Sequence, residues 1–470
     1  MASRPLLFVS LIASFTAGLS GACGGAKNGS DSTDAIDAAD PLPPDACTVG
    51  LPCFVVDCAA KGLEPTSISG TVYAPNGTLP LYGVNVYVPL SDPGPLVEGV
   101  QCGNCASSLP GGAIAETVTD EAGHFTLKNV PATDAVPVIV QVGKWRRQFT
   151  VPTIAACQDT AVPVASTTLP KTKAEGDIPK IAITTGSADA LECLVHKLGI
   201  ADSEFTTDAG DGRVHLFAGN GTDTFSAGFA GGAGALPRSP TLWSTKEKLS
   251  NYDIAIFSCE GDQQSAQSPK PQSALQAVHD YADAGGRIFL SHWHNIWIGG
   301  DKDDPSHGLP DWKTIGTWDF AAPQDLDNNT ATIDQTVPKG MSFAKWMLNV
   351  QGSTVEGEVP ISGARYTLVD RDIAKADRRV HIPQAAPHQS VQDLEFSTPQ
   401  AVAPEARCGK VVFSDMHVSS GSRSTASTST NPNNLPTPFP TGCQAGDLSP
   451  QEKALAFLFF DISSCVGVIP

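Results

Sequence analysis

The feature that most constrains this chain is a single strand–helix–strand pattern. Two short apolar runs, Ile254 to Phe257 and Ile288 to Leu290, flank SALQAVHDYADAGG, where Leu275, Val278 and Ala282 recur at helical spacing. Gly285-Gly286 closes the helix and releases the chain into the second run. A helix between two apolar runs is the crossover that parallel strands need, because a tight turn joins only antiparallel neighbours. Both runs stop at polar, chemically capable residues: Ser258-Cys259-Glu260-Gly261 after the first, Ser291-His292-Trp293-His294 after the second. In an open α/β sheet, ligands gather outside the carboxyl ends of the strands, so these two loops mark where a site belongs.

At 470 residues the chain is too long for one ordinary core, and two or three domains are expected. A net charge of −19 argues against nucleic acid, whose phosphates select clustered Lys and Arg. Lys144-Trp145-Arg146-Arg147 is the only dense basic stretch and reads as a solvated strand end. At the N-terminus, Arg4, the apolar run Leu6 to Phe15 and the small residues that follow form an export signal over residues 1–22. Leu19-Ser20-Gly21-Ala22-Cys23 resembles the bacterial lipobox. That resemblance implies lipidation of Cys23 as the mature N-terminus, and Gly24 then implies an outer-membrane lipoprotein of the cell envelope, facing the periplasm or the surface; Ser20-x-Ala22 also suits ordinary signal cleavage. Residues 23–63 are polar and small, as a tether should be. No later run is long enough to span a bilayer.

Beyond Cys23, eleven of the twelve cysteines remain, and export makes disulfides their default state. Cys102-Gly-Asn-Cys105 is read as a disulfide in preference to zinc ligands, since no second CxxC or spaced His pair accompanies it. An odd count leaves one thiol free or paired between molecules. Cys259 is expected to be bridged, with Cys193 as a candidate partner, before it is expected to act as a nucleophile.

Residues 64–159 carry short alternating strands separated by Asn76-Gly77, Glu121-Ala122-Gly123 and Pro turns, which indicates a β-sandwich. The succession GTV, GVNVYV and TDEAGHFTL resembles the carboxypeptidase regulatory-like domain, a transthyretin-like sandwich that usually carries no chemistry. Residues 160–177 read as a linker. The α/β domain is expected over 178–470: strand KIAIT, a helix ADALECLVHKL capped by Ser187, strand VHLFAG, the central unit, an insertion at about 299–405, strand KVVFSDMHV and a last helix with a Ser449/Glu452 capping box. The order YDIAIFSCEG, helix, AGGRIFLSHWH and CGKVVFSDMHV resembles the class I glutamine amidotransferase-like fold, in its ThuA-like branch. The fold expected is therefore multidomain, a sandwich followed by an α/β domain with a mostly parallel, Rossmann-like sheet. The G-x-C-x-G elbow of the amidotransferases is absent, and with it the support for glutaminase chemistry.

Residues two apart on an extended chain point the same way, so His292 and His294 can face one ion, and Asp415-Met416-His417 repeats the spacing. His292, His294, Asp415 and His417 are the candidate ligands of a divalent metal such as zinc, with Glu260 as general base. Cys259 and Trp293 are candidate ligand-binding residues. The leading functional expectation is a non-catalytic or degenerate module, anchored to the membrane by its lipid, that binds a glycan or small molecule at the sheet's carboxyl edge. The alternative is a metal-dependent hydrolase.

Overall fold

The computed structural model describes residues 50–103, 109–321, 329–337, 339–362, 364–383, 390–418 and 437–464. The signal, Cys23, Cys47, Cys105 and Cys465 lie outside them. The chain is multidomain and built mainly from β-sheet, with several sheets and few helices.

Seven strands form the first region: β1 (Ser67–Thr71), β2 (Asn85–Pro89), β3 (Ala113–Val118), β4 (His124–Lys128), β5 (Asp134–Val142), β6 (Trp145–Thr153) and β7 (Asp159–Ala161). They make two sheets, ordered β4-β1-β7 and β3-β2-β5-β6. The alternation seen in the sequence places Val84, Val86 and Val88 inward, where they share a core with Ile68, Phe125, Leu127, Val138 and Val140. The stretch read as a linker is packed. It carries β7, parallel to β1, and the short helix α1 (Val164–Thr167), and Thr167, Thr168 and Leu169 are buried.

The rest of the chain supplies β8 (Ile181–Thr184), α2 (Leu191–Lys197), β9 (Phe205–Thr206), β10 (Val214–Phe217), α3 (Lys246–Leu249), β11 (Ile254–Phe257), α4 (Gln272–Asp283), β12 (Arg287–Ser291) and α5 (Ile296–Gly299). Then follow β13 (Gly316–Trp318), β14 (Asn329–Ile333), α6 (Gly340–Asn349), β15 (Glu358–Ile361), β16 (Leu368–Arg371), β17 (Asp377–Ile382), β18 (Ser390–Thr398), β19 (Gly409–Ser414) and α7 (Pro450–Ser463). Among the described residues, ten of these strands form one sheet, in the order β15-β14-β17-β18-β19-β12-β11-β8-β10-β9. From β9 to β19 every pairing is parallel, and from β19 to β15 every pairing is antiparallel. The sheet is thus mixed where a mostly parallel one was expected, because the supposed insertion contributes four strands to it.

Strands of the parallel half are buried on both faces, which explains their unbroken apolar runs. Ile181, Ile183, Ile256, Phe289 and Val412 face α2 and α7 on one side. Ala182, Phe257, Ile288, Leu290 and Phe413 face α4 and α5 on the other. The Ser449/Glu452 capping box that starts α7 is present. Phe459 of this helix meets Phe289 of the sheet, while Phe457 and Phe460 meet Tyr82 and Trp145 of the sandwich. A helix buried between two layers is apolar on both sides, as α7 is from Ala454 to Phe460, and its Glu452 and Asp461 are paired with Lys197 and Lys410.

The basic stretch at Lys144 is no solvated strand end. Trp145 and Arg146 are buried, Arg146 pairs with Asp177, and Lys144 pairs with Asp253 at the start of β11. These charges knit the sandwich to the large sheet. A disulfide between Cys102 and Cys408 does the same across 306 residues of chain. Constraining so long a loop stabilises by about 2–4 kcal/mol. Cys102 therefore bridges to a distant cysteine and not to Cys105 within its CxxC. Cys58–Cys157 and Cys193–Cys443 are also bridged. The Cys193 partner is thus Cys443, and Cys259 is the free cysteine among the described residues.

Candidate metal centre

Strand pairing sets the site. Ile254 to Phe257 of β11 lie beside Arg287 to Leu290 of β12, and Ser291 of β12 lies beside Ser414 of β19. Three neighbouring parallel strands therefore release their chains at the same level, one after the other. Cys259 follows the first, His292 the second and His417 the third.

Cys259 is fully buried, and its carbonyl accepts a hydrogen bond from Ala188 N–H at 3.1 Å. The approach of these loops requires glycine at Gly186, where a Cβ would stand 2.2 Å from the Cys259 carbonyl oxygen. His292 sits at φ +40°, in left-handed backbone, between the end of β12 and a 3-10 turn that runs into α5. Such a conformation costs on the order of 1–3 kcal/mol for a residue with a side chain. It also rotates the imidazole out of the strand's alternation toward the neighbouring loops. His292 Nδ1 lies 3.4 Å from Cys259 Sγ and 3.1 Å from His417 Nε2.

One donor atom from each of the three residues lies within 4.8 Å of the other two. A tetrahedral ion with metal–sulfur bonds of about 2.3 Å and metal–nitrogen bonds of about 2.0–2.1 Å sets S–N and N–N edges of roughly 3.5 and 3.3 Å. Two of the observed edges, 3.4 and 3.1 Å, are near these values, the third lies within 4.8 Å, and this buried Cys/His/His cluster can hold a metal ion. Burial first, then the neighbouring His292 and Arg365, hold His417 well below its ordinary pKa, so its lone pairs are available. Burial pushes the Cys259 thiol up to about 12, and a coordinated thiol gives up that proton.

The other expected ligands do not join them. His294 receives a hydrogen bond from Trp297 Nε1 at its Nδ1 (2.8 Å) and places Nε2 2.9 Å from the Ser258 carbonyl, to which it donates. Both ring nitrogens are thereby used, and burial with the nearby Lys270 charge keeps the ring neutral. The spacing argument fails because extended backbone ends at Ser291. Past the left-handed His292 the chain coils, and residues two apart no longer share a face. Asp415 accepts from Thr367 Oγ1 (2.8 and 3.0 Å) and Leu368 N–H (3.1 Å), so both its oxygens hold the segment before β16. Glu260 is no free base. Its carboxylate meets Lys270 Nζ at 2.7 Å and Ser268 Oγ at 2.7 Å, with both charged side chains about 1% exposed.

Trp293 remains beside the site, half-buried, its ring centre 4.6 Å from that of His292. Ser187 does not cap α2; its hydroxyl donates to the Glu260 carbonyl at 2.7 Å. Sequence reasoning took Cys259 as bridged and also as a candidate ligand-binding residue, and the odd cysteine count hinted at a spare thiol. It also missed Asp189, which accepts from Ser291 Oγ (2.6 Å) and Val418 N–H (2.9 Å). Nothing in the local pattern distinguishes that residue. Among the described residues no helix is long and apolar enough to cross a membrane.

No family model matches this chain, and no curated protein matches it. Two solved structures of a type II cohesin–X-dockerin complex from Acetivibrio cellulolyticus, an N-terminal and a C-terminal interface mutant, are similar at 15% identity. They cover 31% and 30% of this chain and 78% and 75% of theirs, with TM-scores of 0.15, too low to bear on fold, partner or function.

Proposed function

We propose that this is an envelope-anchored lipoprotein whose α/β region binds a ligand at a mononuclear metal centre formed by Cys259, His292 and His417. The convergence of these three donors at the carboxyl edge of neighbouring strands carries the reading. One thiolate and two imidazoles suit zinc or a similar borderline ion. Three protein donors leave one tetrahedral position for a ligand, whereas structural sites close all four. Trp293 would flank that position with an apolar, flat wall, suited to a sugar or other small molecule.

The open position also favours a second reading, a metal-dependent hydrolase, since an ion held there would supply Lewis acidity toward water or a carbonyl. Glu260, neutralised by Lys270, takes no part in it. Kinship with the amidotransferase-like fold is supported by the left-handed His292 between a strand and a helical turn, where that fold places its nucleophile. The exported setting is supported by the disulfides Cys58–Cys157, Cys102–Cys408 and Cys193–Cys443.

The test is the metal content of the mature chain, made in an oxidising compartment, followed by cobalt titration. One equivalent of metal and a near-ultraviolet thiolate-to-cobalt band are expected. Cys259→Ser should lose the band. Absence of both metal and band in the native protein would overturn the reading. With metal present, turnover of ester, amide or glycoside substrates that stops on chelation would select the hydrolase.

A further inference from the structure

We propose that Asp189 is the positioning residue of this centre, setting both histidines through the backbone that carries them; the proposal rests on the metal reading above. The turn between β8 and α2 touches the flanks of all three donors. Ala188 N–H binds the Cys259 carbonyl, and Ser187 Oγ binds the Glu260 carbonyl one residue on. Asp189 spans the other two. Its Oδ2 accepts from Ser291 Oγ at 2.6 Å, immediately before His292, and its Oδ1 accepts from Val418 N–H at 2.9 Å, immediately after His417. The carboxylate is 2% exposed, and its place in the turn is fixed by the close approach at Gly186.

Two imidazoles that lie on different strands hold a common geometry only if their main chains are held in register beyond the ends of the sheet. The last paired residues of β12 and β19 are Ser291 and Ser414, so His417 stands three residues past any strand pairing. Asp189 ties the two segments to each other, while Gln451 Nε2 separately donates to the His417 carbonyl at 3.0 Å. Asp189 also braces the residue before the left-handed His292, a conformation that persists only where its surroundings enforce it. Outer-layer partners that orient ligands typically govern 10–100-fold in metal affinity. Here the control runs through the ligands' backbone and not through their ring N–H groups.

The experiment compares Asp189→Ala, Asp189→Asn and Ser291→Ala in the full mature chain, by competitive zinc and cobalt titration alongside urea unfolding. Long-range ¹H–¹⁵N spectra of the imidazoles are recorded on the metal-free proteins. Asp189→Ala is expected to weaken metal binding about 10–100-fold. In Asp189→Asn the amide oxygen still accepts from Val418 and the amide N–H donates to a reversed Ser291 hydroxyl, so affinity should stay within about three-fold of native. Ser291→Ala should fall between. Native affinity in Asp189→Ala, with only a lower unfolding midpoint, would overturn the proposal. If Asp189→Ala does not fold, native affinity in Ser291→Ala overturns it instead. Should the native protein bind no metal, the metal reading fails separately. The spectra then decide: unchanged His292 and His417 ring signals in the variants refute the positioning role, and displaced signals uphold it.

Discussion

Cys259 and Glu260 are neighbours in the chain, both buried in the loop after β11, yet their surroundings are opposite. The Glu260 carboxylate is matched by an ammonium and a hydroxyl, each at 2.7 Å. Around Cys259, His292 Nδ1 stands within hydrogen-bond distance of both Cys259 Sγ and His417 Nε2, with Arg365 close enough to act on them electrostatically, and the same three residues can hold a metal ion. The first cluster is electrostatically complete and belongs to the structure. On the reading proposed above, the second takes a cation. His294, whose two nitrogens are spent on Ser258 and Trp297, stands apart from the group that includes His292 two residues earlier. Burial is alike within each pair, so what separates their roles here is which partners their polar atoms meet.

The largest expected effect comes from the complete cluster. Breaking a buried ion pair strands a charge, so Lys270→Met should cost about 3–5 kcal/mol in urea unfolding. Glu260→Gln/Lys270→Met should regain most of that and keep the cobalt band. If the double variant stays as unstable as the single one, or loses the band, Glu260 belongs to the site after all.

The histidine pair sharpens the contrast further. His294→Ala removes two hydrogen bonds and a ring packed among Trp243, Phe257 and Trp297. It should cost about 2–4 kcal/mol and leave metal stoichiometry unchanged. His292→Gly should abolish metal binding. Because glycine accepts the left-handed backbone freely, it should lower the stability of the metal-free protein by less than about 1 kcal/mol. Unfolding curves and metal analysis on both variants would expose any exchange of roles.

A smaller effect separates the site from the carboxylates buried near it. Burial pushes Asp393 up to about 8, and Asp415 beside it adds to the rise. An acid whose folded pKa is raised contributes stability that is complete below its unfolded value, near 3.8, and is lost as the pH climbs through 8. Asp189, Glu192 and Asp415, raised to about 7, 8 and 7, act in the same direction. The native protein should therefore become less stable from pH 5 to 8. Asp393→Asn should flatten that slope and add on the order of 2 kcal/mol at pH 8. A slope unchanged in the variant would show that Asp393 is not the group responsible.

Much of the parallel half was legible from local pattern. Runs such as Ile254 to Phe257 are buried on both faces, and the Leu275, Val278 and Ala282 stripe packs on the sheet as its spacing predicts. The antiparallel strands β14, β15, β17 and β18 were not legible as partners of that sheet. β17, β18 and β19 are consecutive antiparallel neighbours, but β14 and β15 reach the sheet only through β17, and an edge-to-edge register leaves no periodic mark on either segment. Of the candidates named at the carboxyl edge, the structure brings His292 and His417 together with Cys259, which had been read both as bridged and as a ligand-binding residue. His294 and Asp415 were included on a spacing rule that holds only while the backbone stays extended.

By itself, the sequence determined what short-range physics controls: where apolar periodicity forces a strand or a helix, where Ser449 starts α7, where glycine ends α4, and which strand ends carry reactive side chains. Tertiary structure alone decided which cysteine stays free, which of two histidines is spent on packing, and that Asp189 ties Ser291 to Val418. These depend on hydrogen bonds and disulfides between separate segments, from 36 residues apart for His294 and Ser258 to 306 for Cys102 and Cys408. Such partners are chosen by the register of a closed sheet, a property that no single segment contains.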